Sequence, residues 1–127
     1  MKSYTDIEQS RKLKKILPLE SADMHYIIMG DDEEPQTIVG LGEYIGILPT
    51  IPAWSLSALL SLMPFQYIEN NNRFGFYQVK GFNKQGETYR FGYKTNNNSF
   101  LFETSWHNDI VDAAFEMVCW LKENKKI

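Results

Sequence analysis

The region between residues 52 and 127 has the clearest pattern of apolar and polar positions in the chain. An apolar run with helical spacing follows Ser55 and closes at Pro64, which predicts a short helix capped by the serine hydroxyl. Three segments of alternating aromatic and polar residues come next. A second helical pattern follows Asn108, which is expected to cap it. The predicted order is therefore helix, three strands, helix (αβββα).

The three alternating segments lie at residues 74–82, 88–94 and 100–106. Two segments separate them: residues 83–86, which begin with Asn83 and end with Gly86, and residues 96–98, which are all Asn. These residue types tolerate the backbone conformations of tight turns, and short connections require neighbouring strands to be antiparallel. Twelve of the eighteen aromatic residues fall between Phe65 and Trp106, so this sheet is expected to build the core.

Alternation assigns the side chains of the sheet to two faces. Tyr89, Phe91 and Tyr93 are expected on the face that packs against the helices, and Phe100 with Trp106 on the packed side of the third strand. Phe115 lies on the polar side of the last helix, where it contacts the N-terminal segment, contacts a partner or is simply exposed. The candidate interaction surface consists of Tyr77, Val79, Arg90, Lys94, Leu101 and Phe115.

The N-terminal part predicts fewer elements. A helix is expected from about Asp6 to Leu17, started by a Thr5–Glu8 capping box and stopped by Pro18. Residues 24–29 predict a strand that could extend the sheet. Residues 30–52 fit either an irregular strand or a mobile loop, and whether residues 1–51 cover the second sheet face stays open.

These elements predict an α+β fold in one domain. Its antiparallel sheet has three to five strands with helices packed on one face. The domain covers residues 1–127, with residues 52–127 as the αβββα core and residues 1–51 as an extension. At 127 residues, with 43% hydrophobic and 14% aromatic residues, the chain has the composition of a packed globular protein.

Composition also narrows the compartment and the partners. No window of the sequence is long and apolar enough to predict a membrane span. The lone Cys119 excludes an intrachain disulfide and favours a reducing, cytoplasmic compartment. A net charge of −3 does not supply the positive field on which nucleic-acid binding largely depends. A soluble cytoplasmic protein is expected, without a membrane or nucleic-acid partner.

Candidate chemistry is sparse. Residues 40–46 are rich in glycine, but the spacing is too long for a dinucleotide loop and prolines follow instead of a helix. Residues 11–15 are mostly basic and read as a solvated helix face. His107 and Asp109 form the one local pair suited to metal or acid–base chemistry. We therefore expect no catalytic residue, no metal and no cofactor, and hence no enzyme.

The αβββα order over about seventy residues resembles the topology of double-stranded RNA-binding domains. In that family, lysines at the start of the last helix hold phosphates. Here residues 107–112 include Asp109 and Asp112 instead. The resemblance implies the fold, whereas the acidic residues argue against the family's function because they repel the phosphate backbone.

Four segments carry a second resemblance: residues 8–13, 17–24, 51–60 and 112–117. The tryptophan–serine–leucine helix start at residue 54 is the most distinctive part. Together these segments resemble uncharacterised small proteins of gut anaerobic bacteria, often encoded near prophages or mobile elements. That family implies a genetic context but no activity.

The leading expectation is a non-enzymatic protein-binding accessory factor, acting on an unknown protein partner or through self-association as a homodimer. One alternative is a nucleic-acid-binding module that uses the exposed sheet face. A second alternative is a small enzyme with a site near His107, which would require a concave pocket that encloses this histidine and a carboxylate.

Overall fold

A computed structural model describes residues 2–27, the backbone of residues 37–40, and residues 50–127. The acidic turn after Gly30 and most of the glycine-rich stretch lie outside the described residues. The chain divides into two compact units. We call residues 3–59 the N-terminal unit, and residues 60–127 with the first two residues the C-terminal unit. The predicted grouping into one domain stays a prediction.

The described residues of the N-terminal unit form one helix, a three-stranded antiparallel sheet and the first residues of a second helix. Its elements are α1 (Ile7–Lys14), a 3-10 turn (Leu19–Ser21), β1 (Met24–Ile27), β2 (Thr37–Gly40) and β3 (Thr50–Ala53). The strand order is β2-β1-β3, with β1 in the centre. The predicted strand at residues 24–29 therefore exists as β1. It belongs to this three-stranded sheet and does not extend the sheet formed by the aromatic segments of residues 74–106.

Trp54 is the anchor of the N-terminal unit. Its side chain is fully buried, and its indole Nε1 donates to Ser21 Oγ at 2.9 Å. Its backbone N–H donates to the hydroxyl of Thr5 at 3.1 Å, and Thr5 N–H donates to its carbonyl at 2.9 Å. Because all these polar groups are satisfied, the large indole can be buried without a desolvation penalty.

The start of α1 differs from the prediction by one residue. Asp6 is the N-cap: its carboxylate accepts from Gln9 N–H at 2.8 Å, and Gln9 Oε1 accepts from Asp6 N–H at 3.1 Å. The reciprocal capping box is thus Asp6–Gln9 rather than Thr5–Glu8. The Thr5 hydroxyl is used elsewhere because it is buried against Ser10 Oγ at 2.8 Å and Trp54.

Helix α2 (Leu56–Ser61) begins as the sequence predicts. Ser55 Oγ accepts the backbone N–H of Ala58 at 3.1 Å, which is the hydrogen bond of a serine N-cap. Asp23 in turn accepts from Ser55 N–H at 2.9 Å and from its hydroxyl, which orients the cap.

The C-terminal unit contains a four-stranded antiparallel sheet and one long helix. The strands are β4 (Gln66–Glu69), β5 (Asn72–Asn83), β6 (Gly86–Lys94) and β7 (Phe100–Glu103), in the order β4-β5-β6-β7. They are followed by α3 (Ile110–Glu123). The α+β class and the antiparallel sheet are confirmed, and β4 adds a fourth strand to the predicted αβββα order.

Strand β4 is joined to β5 by a two-residue loop, Asn70-Asn71. Both residues have positive φ angles, 51° and 65°. This is the backbone of a type I′ hairpin turn, for which asparagine is one of the favoured residues. Asn70 and Asn71 are therefore the signal of a turn. Residues 66–69, which the sequence analysis did not predict as a strand, form β4.

The core of the C-terminal unit lies between the sheet and α3. Phe91 and Tyr93 are fully buried, and Phe76 contacts both rings at centroid distances of 5.6 and 5.7 Å. Trp120 of α3 stacks on Phe102 at 4.4 Å. We call this the helix-covered face of the sheet.

The cap of α3 also differs from the prediction. Asp109 is the N-cap and accepts from Val111 N–H at 2.9 Å. Asn108, expected to be the cap, instead donates to the Glu87 carbonyl at 2.9 Å and to Asn83 Oδ1 at 3.0 Å. Asn108 thereby ties the loop before the helix to the β5–β6 hairpin.

Among the described residues, no helix is long and apolar enough to cross a membrane.

Candidate functional site

The other face of the sheet carries aromatic rings and charged groups that contact one another. Paired residues on neighbouring antiparallel strands share a face, and the register pairs Tyr77 with Gly92, Val79 with Arg90, and Gly92 with Glu103. We call this the aromatic face. Its members are Tyr77, Val79, Arg90, Lys94, Phe100, Glu103 and Trp106.

Tyr77 lies across the strand beside it because position 92 is a glycine. A Cβ built on Gly92 would lie 2.4 Å from the Tyr77 ring, so any other residue would displace the ring. The Tyr77 hydroxyl donates to Glu103 Oε2 on β7. Burial raises the pKa of the Tyr77 phenol above its ordinary value, and the hydrogen bond to Glu103 raises it further. The contact with Gly92 and the hydrogen bond to Glu103 therefore fix the ring, and the phenol stays protonated.

Trp106 and Arg90 form the second half of the aromatic face. The Arg90 guanidinium carbon lies 4.6 Å from the centroid of the Trp106 ring, within range of a cation–π contact. Arg90 Nη1 lies 3.5 Å from Glu103 Oε1. A Cβ on Gly81 would lie 3.5 Å from the Trp106 ring. The Arg90 Nε is buried and has no hydrogen-bond partner among the described residues.

The aromatic face exposes apolar surface. Phe100 is 52% exposed, Trp106 43% and Val79 37%. Phe100 contacts Tyr77 at 6.3 Å between centroids, and the Lys94 ammonium lies 4.8 Å from the Tyr77 ring centre. The exposed rings are thus held by contacts with their neighbours, and both cations are engaged by aromatic rings.

The structure brings together four of the six residues of the predicted interaction surface: Tyr77, Val79, Arg90 and Lys94. Leu101 is different, because the register passes from Tyr93–Phe102 to Lys94–Phe100 and leaves Leu101 without a partner in a bulge. Phe115 is half-buried on α3, the helix that packs on the opposite face. It therefore does not join the other four residues. Their role as an interaction surface stays a prediction.

Sequence reasoning missed Phe100 and Trp106. Strict alternation assigned both to the packed side of their strand. The bulge at Leu101 turns Phe100 to the aromatic face, as its pairing with Lys94 shows. β7 ends at Glu103, and Trp106 lies in the irregular segment before an isolated bridge between His107 and Tyr89. A bulge adds one residue to one strand and so reverses the alternation on one side of it.

His107, the centre of the enzyme alternative, pairs with a carboxylate that the sequence did not suggest. Its Nε2 lies 2.7 Å from Glu116 Oε1 on α3. Asp109, its sequence neighbour, is occupied as the cap of α3. A cleft of about 270 Å³ is lined by Gly81, Phe82, Asn83, Thr88 and Trp106. His107 is not among these residues, so this cleft does not enclose it.

The described residues contain no group of three or more His, Cys, Asp or Glu side chains that could hold a metal ion. In the N-terminal unit, three exposed cations of the basic run line a cleft of about 550 Å³ together with Ile51. They are Arg11, Lys14 and Lys15. They lie in or just after the last turn of α1, where positive charge complements the helix dipole.

We compared the chain with models of protein families, with curated proteins and with solved structures, and none of the three comparisons found a match.

Proposed function

We propose that this protein is a non-enzymatic accessory factor that binds another protein through the aromatic face. The supporting observation is the set of partly exposed Val79, Phe100 and Trp106 side chains around a fixed Tyr77–Glu103–Arg90 cluster. Tyrosine, tryptophan and arginine are enriched at protein interfaces and among the residues that dominate their binding energy.

Rigidity favours the same proposal. Tyr77 lies against Gly92 and Trp106 against Gly81, and both rings contact a cation. Side chains that are ordered before binding lose less conformational entropy when a partner arrives. A surface of preordered rings therefore suits a specific protein contact better than a mobile surface of the same area.

Charge on the aromatic face favours a protein over a nucleic acid. Arg90 is paired with Glu103, and Lys94 lies over the Tyr77 ring. A phosphate approaching these cations would also approach the Glu103 carboxylate. At the start of α3, Lys2 is paired with Asp112. Phosphate binding depends on cations that are available to replace counterions, and Arg90, Lys94 and Lys2 are all engaged by neighbouring side chains.

The cytoplasm and a prophage or other mobile element are the cellular and genetic context of this proposal. The first rests on Cys119, the one cysteine of the sequence, which lies buried. The second rests on the sequence resemblance alone. A cytosolic extract is therefore the first place to search for the partner.

The test is affinity capture from such an extract, with and without nuclease, followed by titration calorimetry with the purified partner. Val79→Glu and Phe100→Glu each place a charge on the aromatic face at a side chain that is already partly exposed. The control is Leu19→Glu, which changes an exposed leucine of the N-terminal unit. All variants are first checked for an unchanged melting transition.

We expect a partner that survives nuclease, binds the wild type and the control equally, and binds both face variants at least about tenfold more weakly, as for interface hot spots. Equal binding by all variants would rule out the aromatic face. Recovery of RNA or DNA, lost at moderate salt and weakened by Lys94→Glu, would instead support the nucleic-acid alternative.

A further inference from the structure

We infer that β4 is a homodimer edge, along which the β4 strands of two copies pair antiparallel and join their sheets. This edge lies at the end of the sheet order, where β5 is its one neighbour among the described strands. The inference goes beyond the proposed function, because it uses no residue of the aromatic face.

Backbone geometry shows which groups of β4 are available. Phe76 N–H donates to the Phe65 carbonyl at 3.0 Å, so Phe65 and Phe76 form a hydrogen-bonded pair of the β4–β5 ladder. Such pairs alternate with non-bonded pairs in an antiparallel ladder. Tyr67 therefore bonds to β5, whereas the N–H and C=O groups of Gln66 and Ile68 point outward. Among the described residues of the chain, these outward groups form an unused half-ladder.

Side chains along this edge are exposed and mostly apolar. Phe65 is 86% exposed and Ile68 is 60% exposed. The one charged residue of β4 is Glu69, and its carboxylate is engaged by Lys126 at 2.7 Å. Lys126 also lies 4.6 Å from the Tyr67 ring centre, so this cation is engaged by two side chains of β4.

The two edges of the sheet are protected differently. β7, at the opposite end, carries the bulge at Leu101, and bulges are one way in which proteins block edge pairing. β4 has no bulge in its register with β5. It also contains neither lysine nor proline, the other residues that commonly discourage pairing. The β4 edge is therefore the one suited to accept a strand.

A second copy of this chain is the occupant because β4 is complementary to itself. A two-fold axis through Tyr67 places Gln66 of one copy opposite Ile68 of the other. Each of these pairs can exchange both backbone hydrogen bonds, since the same groups point outward in both copies. Tyr67 of one copy then faces Tyr67 of the other. Phe65 of one copy faces Glu69 of the other, which is paired with Lys126 of its own chain. No like charges are opposite one another.

The short edge limits the affinity. β4 has four residues and is followed at once by the Asn70-Asn71 turn. An interface of this size falls in the class of small, weak contacts, below about 1,200 Å² of buried area. We therefore expect a dimer that forms with rising protein concentration rather than one that persists on dilution.

The experiment is sedimentation of the full chain from about 10 µM to about 1 mM, a range chosen for weak contacts. Ile68→Lys introduces a charge at the exposed edge. Gln66→Pro removes an outward N–H that β4–β5 pairing does not use, so the sheet can be retained. Val79→Glu, on the aromatic face, is the control, and the melting transition of each variant shows whether it is folded.

We expect the wild type and Val79→Glu to dimerise alike, and the two edge variants to dimerise at least about tenfold more weakly. Amide exchange of Gln66 and Ile68 should slow at high concentration in the wild type. A wild type that is monomeric throughout would overturn the inference. So would dimers that form equally in both edge variants, or that are lost in Val79→Glu, since that result would place the contact on the aromatic face.

Discussion

The two faces of the C-terminal sheet are made by the same strands but order their side chains by different means. On the helix-covered face, Phe91 and Tyr93 are fully buried, and Trp120 of α3 stacks on Phe102. On the aromatic face, Tyr77 lies beside Gly92 and contacts Lys94 and Glu103, and Trp106 lies beside Gly81 and contacts Arg90. The first face is ordered mainly by removal of apolar surface from water, and the second by local contacts between neighbouring side chains.

Exposed aromatic residues can therefore be ordered without being part of a core. Gly92 leaves room for the Tyr77 ring, which an added Cβ would meet at 2.4 Å, whereas a Cβ on Gly81 would only contact the Trp106 ring at 3.5 Å. Such an arrangement contributes less to stability than burial does, but it leaves the ring partly accessible to a partner. The difference between the two faces predicts three effects of decreasing size.

The largest difference is expected between two phenylalanines, one on each face. Phe91→Ala removes a fully buried ring, which should lower the free energy of unfolding by about 3–5 kcal/mol. Phe100→Ala removes a ring that is half exposed and should cost less than about 1.5 kcal/mol. Urea unfolding followed by circular dichroism measures both. Similar losses would show that the aromatic face is as tightly packed as the helix-covered face.

A smaller effect tests whether the position of the Tyr77 ring requires glycine at position 92. Gly92→Ala should cost about 1–3 kcal/mol because the added methyl would clash with the ring. The same change should cost much less in a Tyr77→Ala background, where no ring is displaced. Gly75→Ala is the matched control, since its nearest neighbour would be the Lys94 carbonyl oxygen at 4.0 Å. Additive losses in the double variant would mean that Tyr77 does not depend on Gly92.

The smallest effect concerns two tyrosine hydroxyls. Burial raises the pKa of both Tyr77 and Tyr93, and Glu103 adds to the shift at Tyr77. Because the folded protein keeps protons that the unfolded chain releases, the stability from both groups is present below pH of about 10 and is lost as the pH rises.

Glu103→Gln should therefore bring the pKa of Tyr77 closer to its ordinary value and leave that of Tyr93 unchanged. An NMR titration of the tyrosine ring signals at alkaline pH measures both groups in one sample. Tyr93 serves as the internal reference, because its hydroxyl donates to the Pro64 carbonyl at 2.7 Å and not to Glu103. An unchanged Tyr77 titration would show that Glu103 does not stabilise the protonated phenol.

The sequence alone determined the class of the fold and most of its elements. The local signals are the aromatic alternation of β6, the turn from Asn83 to Gly86, the Ser55 cap and the apolar face of α3, and each appears in the structure. Local signals work because period, caps and turns depend on residues only a few positions apart. Where two such signals lay side by side, as at Thr5 and Asp6, the cap was displaced by one residue.

Tertiary structure decided how the elements combine and which side chains share a surface. The separation of β1 from the aromatic sheet, the bulge at Leu101 and the pairing of His107 with Glu116 all depend on partners distant in sequence. The bulge matters most for the candidate site, because one extra residue moved Phe100 from the expected core side to the aromatic face. Alternation predicts sides only while the register is unbroken, and the register is set by the neighbouring strand.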